Sequence, residues 1–241
     1  MLKHTRVFVR GKRLLKQLIG RDVWIYRSIR CRTIVAGSWA FCPDALPPSG
    51  AVVYSLGVGS DTNLDSLLIQ DHGATVFAFD PTAAEWVAQA GLPPAFRFAP
   101  VAVGDVDGMV RFYPRVDRRG RRSTEMFTTV RDPRAGDGFE LPMRRLDALM
   151  AELGHDGIDL LKMDVEGSEY GILEQVLDRR IPVGQLLVEF HHRFPGIGPA
   201  ATRRAVERLK RAGWRLFHVS DSGLEYGFLS AQMAERCAPG R

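Results

Sequence analysis

The chain has 241 residues, 45% hydrophobic and 25% charged, which fits one large globular domain or a domain with a short appendage and excludes a disordered or fibrous chain. No apolar run approaches the roughly 18–20 residues of a membrane-spanning helix, and Cys31, Cys42 and Cys237 are too few and too widely spaced for a disulfide framework or a paired-cysteine zinc site. The formal charge of +5 is uneven: residues 1–32 carry +9 and the remaining 209 carry −4.

Within that basic segment Leu14, Leu15, Leu18 and Ile19 recur at helical spacing opposite Lys12, Arg13 and Lys16. The first expectation is a solvated helix that packs its short apolar stripe on its own domain or on a partner. The alternative is peripheral contact with an anionic membrane through residues 1–32. No apolar h-region or small-residue cleavage site is visible near the start, so the expected location is cytoplasmic. Pro43, Pro47 and Pro48 with Ser49 and Gly50 read as a linker, which divides the chain into a basic extension over 1–49 and a domain over 50–241.

From there apolar runs alternate with helical patterns. Residues 51–56 read as a buried strand stopped by Gly57, 61–72 as a helix, and 75–79 as a strand ending in Asp80-Pro81. A helix over 82–90 follows, then strands over 96–103 and 109–113 around a turn at 104–108. Arg115, Arg118, Arg119, Arg121 and Arg122 surround Gly120 and are expected to form a flexible surface loop, although such density suits bidentate contacts to phosphate or carboxylate. Beyond it the pattern gives helix 146–153, strand 158–163, helix 168–179, strand 185–190, helix 200–212, and strands 214–219 and 225–229. This alternation predicts an α/β fold with a parallel sheet covered on both faces. The four-residue link Ser220–Gly223 is too short for a crossover, so the last two strands form an antiparallel hairpin.

Ligands of open α/β sheets bind beyond the carboxyl ends of the strands. The first strand ends in Gly57-Val-Gly59-Ser-Asp-Thr62 before a helix, and the second ends in Asp80, 23 residues after Gly57. Glycines allow close backbone approach, a helix N-terminus offers free N–H groups, and a strand-terminal acid accepts from ribose hydroxyls. Together these imply a nucleoside-containing cofactor. Thr62 stands where a dinucleotide fingerprint wants its third glycine, which counts against NAD and FAD. S-adenosylmethionine has no phosphate and does not need that glycine, and the terminal hairpin also points to the methyltransferase version of the fold. No phosphate-binding Gly-x-x-x-x-Gly-Lys-[Ser/Thr] loop occurs.

The run Leu160-Leu-Lys-Met-Asp-Val-Glu-Gly-Ser-Glu169, followed by Leu186-Leu-Val-Glu-Phe-His191, resembles the signature of the FkbM-type S-adenosylmethionine-dependent methyltransferases. The resemblance covers about residues 50–230 and includes Arg145-Leu-Asp147 and Phe228-Leu229. It implies the class I methyltransferase Rossmann-like sheet, mostly parallel with a C-terminal antiparallel hairpin. It also places Gly57 and Gly59 against the methionine portion, Asp80 on the ribose, Ala102 and Val103 around the adenine, and Asp164 near the sulfonium and the acceptor. Ser55 replaces the first acid of the commoner glycine loop, so Asp61 or Asp164 is expected to hold the amino group instead. Glu166 is expected to orient the acceptor or organise its loop, and Glu169 to stabilise the first turn of its helix.

Transfer to an alcohol needs a base within hydrogen-bond reach. Asp164, Glu189 and His191 are the candidates, and His191 is preferred because an unperturbed imidazole titrates near neutrality. Strand alternation puts Glu189 and His191 on one face and His192 on the other. Asp164, Glu166, Glu189 and His191 also form a mixed set able to take a divalent metal, but nothing in the spacing demands one and none is assigned. Ser123-Thr124 and the aromatic pair Trp39 and Phe41 are secondary candidates for the acceptor pocket, and Cys42 reads as a small buried hydrophobe. The expected reaction is O-methylation of a hydroxyl on a sugar, glycan or secondary metabolite, with an anionic acceptor allowed by the arginines. The alternatives are a nucleic-acid methyltransferase, disfavoured by the negative domain and by the lack of an Asn/Asp-Pro-Pro-aromatic motif, and a non-catalytic module that keeps the fold.

Overall fold

The computed structural model describes residues 6–117 and 119–237. An amphipathic helix α1 (Arg6–Leu18) opens the chain, followed by a hairpin of β1 (Ile34–Ala36) and β2 (Trp39–Phe41). The alternating portion starts with β3 (Val52–Leu56), α2 (Asn63–His72), β4 (Thr75–Phe79), α3 (Ala84–Gln89) and β5 (Phe96–Ala99). Four shorter-range strands come next: β6 (Ala102–Gly104), β7 (Gly108–Val116), β8 (Arg122–Thr128) and β9 (Phe139–Arg145). The chain then runs α4 (Leu146–Leu153), β10 (Ile158–Met163), α5 (Glu169–Asp178), β11 (Val183–Glu189), α6 (Pro199–Arg211), β12 (Arg215–Val219), β13 (Glu225–Leu229) and α7 (Ala231–Cys237).

Seven strands form the main sheet in the order β12-β13-β11-β10-β3-β4-β5. Neighbours from β11 to β5 are parallel, and β13 is antiparallel to both β11 and β12. The expected terminal hairpin is therefore present. Strands β3, β4, β10 and β11 are near-continuous apolar runs because both faces are covered. On one face Tyr54, Leu56, Phe77, Phe79, Leu161 and Met163 pack with residues of α4, α5 and α6. On the other, Val53, Val76, Ala78 and Leu160 pack with Leu64 and Leu68 of α2 and with Trp39 and Phe41 of the β1–β2 hairpin. Strand order reverses between β3 and β10, which opens the crevice where ligands of such sheets bind.

Several expectations need correcting. Residues 96–103 are two strands, not one: the chain breaks at Pro100, which has no N–H to give a ladder, and β6 joins a second sheet of order β6-β9-β7-β8. The arginine stretch is the tip of a β7–β8 hairpin, with its two ends inside strands. Arg115 lies in β7, Arg122 opens β8, and the Asp117 carboxylate accepts the N–H groups of Arg119 and Arg121. Arg118 lies outside the described residues. Trp39 is buried and covers the sheet, so it does not line a ligand pocket. The cysteines scattered in sequence meet in space, with the buried Cys42 thiol against those of Cys31 and Cys237.

The extension is more closely tied to the domain than a tail. Val23 is buried in the main core and residues 34–46 contribute to the second core. By contrast most apolar side chains of α1 face outwards: Val7, Leu15 and Leu18 are 82%, 59% and 69% exposed. Arg10 and Arg13 fasten the helix instead, by bonds to Asp221 and to the Ser220 carbonyl.

Asp22 is the anchor of the following segment. Its buried carboxylate faces His192 and takes a hydrogen bond from Arg193, which also donates to the Ser222 carbonyl. Burial alone raises the Asp22 pKa, but His192 and Arg193 outweigh it and hold it at about 2. Asp22→Asn is therefore expected to cost about 3 kcal/mol in urea unfolding, because a partly buried guanidinium loses its counter-charge. The folded pKa lies below the unfolded one, so the Asp22 contribution is complete above about pH 4 and disappears as pH falls through 2. The gap between wild type and variant should close over that window.

Candidate active site

The glycine loop is shaped by two backbone constraints. Gly57 has φ +71° and donates its N–H to the Phe79 carbonyl, while Asp164 donates its N–H to the Leu56 carbonyl. A Cβ at Gly57 would lie 1.7 Å from the Asp164 carbonyl oxygen, so only glycine fits. Gly59 also has positive φ, but a Cβ there would meet nothing within 4 Å. The buried Lys162 ammonium donates to the Gly57 carbonyl and lies 5.3 Å from the Trp39 ring centre. Burial raises the pKa of Asp65 on α2, opposed by the charge of Lys162 and the hydroxyl of Ser55. Ser55 and Asp65 thus face each other inside the protein.

Asp80 does more than end a strand. One carboxylate oxygen accepts the N–H groups of Val58 and Gly59 at 3.1 and 3.0 Å. The other accepts the Thr82 N–H and hydroxyl, both at 2.8 Å, and the Ala83 N–H at 3.1 Å. Asp61 accepts the backbone N–H and the side-chain amide of Asn63 at the start of α2. Gly57, Gly59, Asp61, Asp80, Ala102, Val103 and Asp164 all line one cavity of about 260 Å³.

The signature loop Asp164–Glu169 closes that cavity. Glu169 is fully buried, and its role is wider than support of a helix turn. It accepts the Gly167 N–H at 3.0 Å and the Val165 N–H at 3.3 Å, and holds His191 Nδ1 at 2.7 Å. Glu166 has φ +50°, unusual for a residue with a side chain. Its carbonyl accepts the Thr128 hydroxyl, and its carboxylate lies 3.5 Å from both Arg115 and His191 Nε2. His191 Nε2 is also 3.8 Å from Asp164 and from Glu189, while His192 points away to Asp22.

This crowd of acids changes the electrostatics. Burial raises the pKa of Asp164 and of Glu166, with His191 opposing in both. Glu189 is pushed up to about 8 by burial and by Asp164. Burial alone lowers the imidazole pKa of His191, but the hydrogen bond and charge of Glu169, with Glu166 and Asp164, carry it to about 9. The expectation that His191 titrates near neutrality therefore does not hold.

A second cavity of about 740 Å³ adjoins the first, with Met126 lining both. Glu189 and His191 lie in its wall together with Ser123, whose hydroxyl accepts the N–H groups of Glu125 and Met126. Arg115, Arg122 and Arg131 also line it. Arg115 stacks 4.7 Å over Phe194, and Arg122 donates to the Arg134 carbonyl. The sequence did not reveal the parts played by Lys162, Arg115, Thr128 and Met126. A lysine inside a buried apolar strand was the one visible signal among them.

The profile described as methyltransferase FkbM domain matches residues 49–216. Probable methyltransferase-like protein 24 of Rattus norvegicus is 27% identical over 180 residues, and that of Homo sapiens is 27% identical over 179. Each alignment covers 69% of this chain and 42% of the relative, so the chain spans less than half the length of these proteins. Among solved structures, methyltransferase FkbM from Methylobacillus flagellatus KT is 14% identical with a TM-score of 0.43, covering 75% of this chain and 43% of its own. The METTL16 MTase domain is 11% identical with a TM-score of 0.44, covering 94% and 81%. With its profile match extending over most of the main sheet and the whole Lys162–Glu169 signature, the chain belongs to the methyltransferase FkbM domain family.

Proposed function

We propose that the chain is an S-adenosylmethionine-dependent methyltransferase acting on a hydroxyl of a small-molecule or glycan acceptor that carries an anionic group. The observation that carries this reading is the junction of two cavities at the ends of β3 and β10, one lined by the glycine loop and Asp80, the other by arginines and acids. The smaller cavity suits the cofactor. Space is open where a Gly59 Cβ would project, Ala102 and Val103 offer apolar surface for adenine, and Asp80 offers a carboxylate to the ribose. Because Asp80 already accepts five protein hydrogen bonds, ribose hydroxyls would share its oxygens with these partners or replace some of them.

When bound, S-adenosylmethionine supplies a methyl group on a positive sulfur. The protein contributes alignment, exclusion of water, and a place for the proton of the acceptor hydroxyl. Asp164 lines the cofactor side of the junction and Glu189 the acceptor side. Arg122 and Arg131 have no carboxylate partner among the described residues, which favours an anionic acceptor.

Calorimetric titration with S-adenosylmethionine and S-adenosylhomocysteine tests the reading. Saturable binding is expected, weakened at least about tenfold in Asp80→Ala, the loss of roughly one to two hydrogen bonds. No binding of either compound, with binding of NAD, would instead make the chain a dinucleotide protein.

A further inference from the structure

We propose that Asp164, Glu166 and His191 bind one divalent cation of the Mg²⁺/Mn²⁺ class at the junction of the two cavities. One donor atom from each residue lies within 4.8 Å of the other two. A shared cation bonded at about 2.0–2.2 Å would draw the three donor atoms in to about 3 Å of one another, a movement of side-chain ends. Two carboxylates and one imidazole form a predominantly hard donor set, which suits Mn²⁺ or Mg²⁺ over the thiophilic metals.

Acids gathered near one another would not by themselves make a site, but the histidine is a separate observation. His191 is only 4% exposed, and its Nε2 turns towards three carboxylates, Glu166 at 3.5 Å and Asp164 and Glu189 at 3.8 Å. The other nitrogen, Nδ1, is held at 2.7 Å by the fully buried Glu169. A carboxylate behind an imidazole is the arrangement that fixes a metal-ligating histidine with its far nitrogen free to bind. Glu166 adds a third sign: one carboxylate oxygen is buried without a hydrogen bond, on a residue whose left-handed backbone is pinned by the Thr128 hydroxyl. Such local strain persists only where the surroundings enforce it.

The three ligands leave part of the coordination sphere facing the larger cavity, beside Glu189. An oxygen of the acceptor would complete it. The inference thus deepens the methyltransferase reading and rests on it for the acceptor, but binding of the cation itself requires no cofactor.

The test is titration of the EDTA-dialysed full chain with Mn²⁺, followed by the electron paramagnetic resonance signal of the free ion. One saturable site per chain is expected. His191→Ala and Glu166→Gln should each weaken it at least tenfold, and Glu169→Gln by about 10- to 100-fold through loss of the supporting carboxylate. Circular dichroism melting checks that the variants fold, and the near-isosteric Glu166→Gln decides the matter if His191→Ala does not. Absence of saturable binding, or binding indifferent to Glu166→Gln, overturns the proposal. Parallel titration with S-adenosylmethionine separates the two readings: cofactor binding without Mn²⁺ binding removes only the cation site, and Mn²⁺ binding without cofactor binding removes only the cofactor assignment.

Discussion

Gly57→Ala is expected to abolish measurable S-adenosylmethionine binding and to lower the melting temperature by about 10 °C or more, the shift that roughly 4 kcal/mol produces in a chain of this size. Two costs combine. A side chain at φ +71° carries a left-handed penalty of about 1–2 kcal/mol. The added methyl would also stand 1.7 Å from the Asp164 carbonyl oxygen. Both partners in that clash are main chain, so no rotamer change relieves it. The loop must move, and with it the Gly57 N–H bonded to Phe79 and the Gly57 carbonyl bonded to Lys162. Gly59→Ala provides the contrast. It carries the same left-handed penalty of about 1–2 kcal/mol, but the new methyl meets nothing in the protein. Its effect should appear mainly in cofactor affinity, since the space it takes is cavity. Equal losses of stability in the two variants would show that the contact with Asp164 does not set the loop.

The same loop shows which features a sequence can disclose. Strands β3, β4, β10 and β11 were legible because a strand buried on both faces must be apolar throughout, and the final hairpin was legible because four residues cannot cross a sheet. Strands β8 and β9 were not. Their side chains are nearly all exposed or half-buried, with one buried residue in each, so their order comes from pairing with β7 and leaves no clear hydrophobic pattern. The same exposure hid the strands on either side of the arginine loop. Pro100 was visible as a breaker, but apolar residues on either side masked it. In the site, Gly57, Gly59 and Asp80 announced themselves through local spacing. The contact between Glu169 and His191 joins residues 22 apart across an intervening strand, and no local pattern encodes it. That contact also decides the fate of His191, since an isolated imidazole and one held among carboxylates are different acids.

Glu189→Gln is accordingly expected to lower turnover by about 10²–10⁴-fold, the range for loss of a positioned proton acceptor, while S-adenosylmethionine affinity stays nearly unchanged. The argument runs by geometry. His191 has Nδ1 engaged by Glu169, and its Nε2 faces Glu166, Asp164 and Glu189. Whether a proton or a cation occupies Nε2, that nitrogen is not free to take a proton from an alcohol. Asp164 and Glu166 line the cofactor cavity. Glu189, at the end of β11, lines the acceptor cavity and not the smaller one, and its carboxylate is 20% exposed towards solvent. It is therefore the acid placed to receive the acceptor proton without touching the cofactor, in the ionised form that its pKa of about 8 makes the majority only above that pH. Glutamine keeps the shape and removes the capacity, so a fall in turnover with intact cofactor binding isolates that role. Turnover within a factor of about two of wild type would move the base to Asp164, whose Asp164→Asn variant should then carry the loss together with weakened cofactor binding.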